Sequence, residues 1–126
     1  MKNILMLTVL FTPVVFAADN PIYEGNFECV GKEIDEADEF KISMTIEKNG
    51  ETYTTHTRSL TDDYRGVGVG IYMHANNALS VGFRNLDNPK ESGVCIFTEK
   101  APNTLEGLKT YIGEKKIVKV FCKKVD

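Results

Sequence analysis

Tryptophan is absent from these 126 residues, and histidine occurs only twice and cysteine three times. Two histidines, His56 and His74, with no cysteine or carboxylate at ligand spacing, do not make a zinc centre. No metal or cofactor is expected. Basic residues are outnumbered, 15 against 18 acids, for a net charge of −3. With no basic patch, this composition gives nucleic acid little to hold. Beyond residue 17 no window carries the apolar stripe of an amphipathic helix. The run Glu33–Glu39 (EIDEADE) lacks the alternating acids and turn glycine of a calcium loop and reads as a solvated connection. Charge is nonetheless uneven, since five lysines fall between Lys115 and Lys124.

The first seventeen residues read as an export signal. Met1-Lys2-Asn3 is a short positive start, and Ile4 to Phe16 is an apolar run. Val15-Phe16-Ala17 offers the aliphatic and small residues of a peptidase site. The run is too short for a membrane span, which takes about 20 apolar residues. Cleavage after Ala17 would leave 109 residues with 14 basic and 18 acidic side chains. That is enough for one modest core, residues 18–126, in a periplasmic or extracellular compartment with no stable membrane insertion.

What is abundant is period-2 alternation. Eight strands are expected: Tyr23–Val30, Glu39–Lys48, Glu51–Arg58, Tyr64–Tyr72, Ala78–Arg84, Ser92–Thr98, Thr104–Tyr111 and Lys115–Lys123. Turn chemistry separates them at Asn49-Gly50, Thr61-Asp62-Asp63, Asn76-Asn77, Asn85 to Pro89, Pro102-Asn103 and Gly113. Short strands with hairpin-length connections predict an all-β, eight-stranded, antiparallel up-and-down barrel, a closure that removes exposed edges. Reading Asn49-Gly50 as the centre of a two-residue type I′ turn pairs Ile46 with Tyr53, Met44 with Thr55, Ile42 with Thr57 and Ser43 with His56. His56 then lies on the outer face.

The stretch Arg65–Phe83 begins RGVGVGIYM. A dinucleotide fingerprint would have to open a helix, and a phosphate loop would need Gly-Lys-Ser/Thr. Neither follows. Strict alternation makes this a strand, with Gly66, Gly68 and Gly70 on one face and Val67, Val69 and Ile71 on the other. Glycines so placed allow tight coiling or close approach by neighbouring side chains.

Three cysteines allow three pairings. In a closed up-and-down barrel the first and last strands are neighbours, so Cys29 and Cys122 are expected to bridge, leaving Cys95 as a buried free thiol.

The series YEGNFEC, an Asn-Gly hairpin, Y-x-G-x-G-x-G-I, N-A-L-S-V-x-F, G-V-x-I-F, L-E-G and a closing cysteine resembles a group of small exported bacterial barrels. These are calycin-like, of lipocalin or avidin type. The resemblance implies a fold and no chemistry. Members often carry tryptophan near the positions of Thr57 and Lys109 here.

No catalytic residues are expected, because nothing around the histidines, around Cys95 or among the carboxylates resembles a reaction centre. The inward-facing Met44, Tyr53, Thr55 and Thr57 are the candidate ligand-binding residues, an apolar wall with two hydroxyls that must find partners. The expected function is an exported, non-catalytic protein holding a small apolar or amphipathic ligand in its lumen. The alternative is a protein-binding module, of the lysozyme- or protease-inhibitor kind, acting through its rim loops. Partners are thus a small molecule or a protein.

Overall fold

The computed structural model describes residues 23–32 and 39–126. The expected signal segment and most of the acidic run lie outside the described residues. Eight strands form: β1 (Gly25–Lys32), β2 (Glu39–Asn49), β3 (Thr52–Ser59), β4 (Arg65–Met73), β5 (Ala78–Asn85), β6 (Ser92–Ala101), β7 (Thr104–Tyr111) and β8 (Val118–Lys124). Each pairs antiparallel with the next, and β8 returns to β1 to close the barrel.

The side-chain period of 2 decides what fills it. β1 alternates buried Phe27, Cys29 and Gly31 with exposed neighbours. β2 sends in Met44 and Ile46, β5 Leu79 and Val81, β7 Leu105, and β8 Val118, Val120 and Cys122. Phe27, Leu79 and Leu105 are wholly buried, each contributing about 1.5–3 kcal/mol relative to exposure.

The β2–β3 register differs from the expected one by two residues. Asn49 faces Thr52, Ile46 faces Thr55 and Met44 faces Thr57, while His56 lies opposite Thr45 and Ser43 opposite Arg58. The turn is centred on Gly50-Glu51, with Gly50 at φ 65° and Asn49 not in the positive-φ region. Glycine therefore takes the first central position, where a type II′ turn requires it. A two-residue slip preserves faces, so Tyr53, Thr55 and Thr57 still point inward and His56 is exposed.

On β4 the three glycines face the lumen, and each stands directly opposite an inward β3 side chain. Gly70 pairs with Tyr53, Gly68 with Thr55 and Gly66 with Thr57. A Cβ at Gly68 would meet Thr55 Oγ1 at 2.6 Å, Val81 Cγ1 at 2.8 Å and the Gly82 carbonyl oxygen at 2.9 Å. The glycines thus hold open the space that Tyr53, Thr55 and Thr57 occupy. Their valine partners face out, and Val69 and Ile71 are exposed.

The seam is covalently closed. Cys29 faces Cys122 across the β1–β8 pair, and the two form a disulfide, with Cα atoms 4.0 Å apart. Cys95 is free and buried.

Tyr23, expected to begin the first strand, instead precedes it as a plug. The chain swings at Gly25, whose φ is 130°, and carries Tyr23 beneath the barrel. Its hydroxyl donates to the carbonyl oxygens of Asn77, at 2.9 Å, and Phe97, at 3.3 Å. Its ring centroid lies 5.7 Å from that of Tyr72. Burial, reinforced by nearby Tyr72 and Glu99, pushes the phenol up to about 12. That end of the barrel is shut.

Candidate functional site

The other end, flanked by the loops after β3, β5 and β7, opens into what space the lumen has. Its floor is apolar: Met44 from β2, Val81 from β5, Phe97 from β6 and Val120 from β8. The Cys29–Cys122 bridge and the Cys95 thiol line the same cavity. Polar groups enter from one side, where Thr55 and Thr57 on β3 meet Tyr64 from the loop that follows it. Gly66 gives them this room, since a Cβ there would strike Tyr64 Oη and would lie 2.6 Å from Thr57 Oγ1.

Of the four residues expected to share a site, Met44, Thr55 and Thr57 do so. Tyr53 lies deeper, buried in the packed core, with Lys48 Nζ 5.8 Å from its ring centroid. The cavity measures about 40 Å³ as the space that a water's centre can occupy.

Lys109 is a candidate feature that the residues singled out from the sequence did not include. It is half-buried on β7, and its ammonium stands 4.8 Å from the ring centroid of Phe40, 5.2 Å from that of Tyr111 and 5.8 Å from that of Phe83. Phe83 and Tyr111 themselves meet edge to face at 5.4 Å. Cation–π attraction contributes about 0.5–2 kcal/mol according to how far the cation is desolvated, so this box fixes a positive charge at the barrel mouth. The signal for it was parity. Leu105, Gly107, Lys109 and Tyr111 share a period, and buried Leu105 and Gly107 place that period inside.

Two neighbours register the same surroundings. Burial pushes the Cys95 thiol up to about 12, against a smaller pull downward from Lys109. Tyr64 is raised chiefly by burial and then by Tyr111, opposed by its contact with the Thr57 hydroxyl and by Lys109. At neutral pH the thiol is therefore protonated and a poor nucleophile. Among the described residues no carboxylate lines the cavity. The groups on its wall can orient a polar atom or hold water; they include no acid–base pair.

The two histidines stand apart from it. His56 is exposed on the outer wall, and His74, also exposed, sits edge-on to Tyr72 at 4.5 Å. Among the described residues no three His, Cys, Asp or Glu side chains are grouped to hold a metal ion. In comparisons with known proteins, no family model, no curated protein and no solved structure matches this chain.

Proposed function

We propose that this chain is an exported, non-catalytic binding protein that engages a protein partner with the open end of its barrel. The observation that carries this reading is an asymmetry between the two ends. Around the open mouth the connecting loops present exposed Leu60, Leu86, Ile112 and Ile117. Among the described residues the hairpins of the plugged end turn on Gly50-Glu51, on exposed His74 to Asn77, and on Pro102-Asn103, and that end exposes only Met73, at the close of β4, and Val125, after β8, as large apolar side chains. Rim loops on a rigid, disulfide-closed frame are a common way to present a recognition surface, and aliphatic tips beside an aromatic ring give it a core that water leaves readily.

Lumen volume ranks the second reading. Pockets that enclose a whole small molecule run to about 300–1,000 Å³, far above the space found here. What favours a ligand at all is the meeting of Met44, Thr55 and Thr57 on one wall beneath the Lys109 box. Such a ligand would insert only a short apolar end. The calycin-like resemblance is compatible with either use.

Native mass spectrometry of the protein taken from its own compartment tests the ranking. The parent is expected to carry a protein-sized adduct that Leu60→Asp/Ile117→Asp loses. An adduct of small-molecule mass, kept by that rim variant and lost in Thr55→Val/Thr57→Val, would overturn the partner reading in favour of the lumen.

A further inference from the structure

The outer wall has a pattern that the barrel itself does not need. Registers place Val69, Gly82 and Val94 in one row across β4, β5 and β6. The next row runs Ile71, Ser80, Ile96 and Leu108, reaching β7. Val69, Ile71 and Val94 are 58%, 62% and 52% exposed, and Ile96 and Leu108 are exposed as well. Elsewhere the outward positions are largely charged or polar. β1 and β2 show Glu28, Lys32, Lys41 and Glu47, and β3 shows His56 and Arg58, with Val30 and Phe121, paired across β1 and β8, as apolar exceptions.

The relief of this patch matters as much as its composition. Along β5 the outward side chains shrink to Gly82 and Ser80, and a Cβ at Gly82 would meet nothing within 4 Å. β5 is therefore a furrow, with β4 and β6 as ridges of branched aliphatics on either side. Strands lie about 4.8 Å apart, which separates the ridges by roughly 10 Å, the width that one facing ridge requires. Above Gly82 the furrow ends at Arg84, the next outward residue of β5, which stands between Val67 and Ser92 below the rim.

We infer that this wall is a self-association face on which a second copy of this chain docks about a two-fold axis. Shape and area both point to that occupant. A two-fold axis between β5 and β6 drops the Val94–Ile96 ridge of each copy into the Gly82–Ser80 furrow of the other. The surface is then self-complementary, as an isologous contact demands. Two twisted sheet faces pack in this way at about 10 Å, through alternate residues. The aliphatic surface exposed in the patch is on the order of 500 Å², at the upper end of what a lone monomer carries and more than half of the roughly 800 Å² per partner of a stable interface. No charged side chain interrupts the two central rows, so pairing buries no unmatched charge there. The rim stays outside the contact, and the proposal stands independently of the partner reading above.

Sedimentation of the intact, oxidised protein across a dilution series tests it. The parent is expected at twice the monomer mass at about 100 µM, dissociating on dilution with a micromolar constant, as modest interfaces do. Val69→Glu/Ile96→Glu should raise the dissociation constant at least ~100-fold, because each copy would then bury one carboxylate in the partner's furrow and another against the apolar face beside it. Leu60→Asp, at the rim, should leave the constant unchanged. Both variants must keep the far-UV spectrum of the parent and the Cys29–Cys122 bridge. Should the wall variant fail to fold, Gly82→Leu, which fills the furrow from an open position, is expected to abolish dimerisation instead. A parent that stays monomeric at 100 µM, or a dimer indifferent to the folded wall variant, overturns the inference. So does a monomeric parent that uses this wall to bind vesicles or a different protein.

Discussion

The column of glycines on β4 offers a graded perturbation inside one strand. Alanine at Gly68 must place its Cβ 2.6 Å from Thr55 Oγ1, 2.8 Å from Val81 Cγ1 and 2.9 Å from a backbone oxygen. The first two contacts can yield by rotating side chains; the third is the strand itself. Alanine at Gly70 meets only side-chain atoms at 3.1 and 3.2 Å and a backbone oxygen at 3.3 Å, which a small relaxation accommodates. Overpacking a tight core costs about 1–3 kcal/mol, while removing a strand glycine recovers roughly 0.5–1 kcal/mol of backbone entropy. Gly68→Ala should therefore be destabilised by about 1–2 kcal/mol and Gly70→Ala should lie near neutral. Urea unfolding of the oxidised protein, followed by tyrosine fluorescence or far-UV circular dichroism, reads this as a midpoint shift of about 1 M at constant slope. Equal midpoints for the two variants would refute the argument that Gly68 is held open by its neighbours. A stabilised Gly68→Ala would refute it more strongly.

Two further outcomes follow from the cysteines. Replacing both Cys29 and Cys122 by alanine removes a cross-link across 93 positions of sequence. By the chain-entropy relation this lowers stability by about 4–5 kcal/mol, read as a thermal midpoint about 20 °C lower; a loss under 1 kcal/mol would show that the β1–β8 ladder holds the seam unaided. Cys95, whose thiol is held at about 12 by burial, should resist alkylation in the folded protein at pH 8 and react only as the barrel opens. Its folded-state pKa is raised, so its contribution to stability is complete below the unfolded value of about 9 and is lost as pH climbs towards 12. Cys95→Ala should flatten that alkaline decline, and rapid native-state labelling would contradict the burial argument.

Alternation made the barrel readable, because burying one face of eight short strands leaves few other closures. The same alternation identified the Cys29–Cys122 seam once the first and last strands were taken as neighbours. What it could not supply was turn geometry. Asn49-Gly50 and Gly50-Glu51 both fit the sequence, and the structure centres the turn on the second, a slip of two that no hydrophobic pattern penalises. Tyr23 escaped for a related reason: a residue just before a glycine at positive φ leaves the strand, and its new direction is set by contacts far away in sequence. Lys109 was legible by parity, yet a lysine in a strand is expected to face water. Phe40, Phe83 and Tyr111, on three different strands, give it reason to face in. The site's size was equally hidden, since the lumen depends on how rings from different strands interleave.

The seam disulfide has a consequence for the order of events during biosynthesis. Cys29 belongs to the first strand made and Cys122 to the last, and chains emerge from their N-terminus. From the appearance of Cys95 until that of Cys122 the only thiol available to Cys29 is Cys95, the one that the finished barrel leaves free. Correct oxidation therefore waits for β8, and a Cys29–Cys95 link is the natural error of a chain oxidised too soon. Bridge formation in this protein doubles as a record that β8, the strand that closes the barrel, has been made.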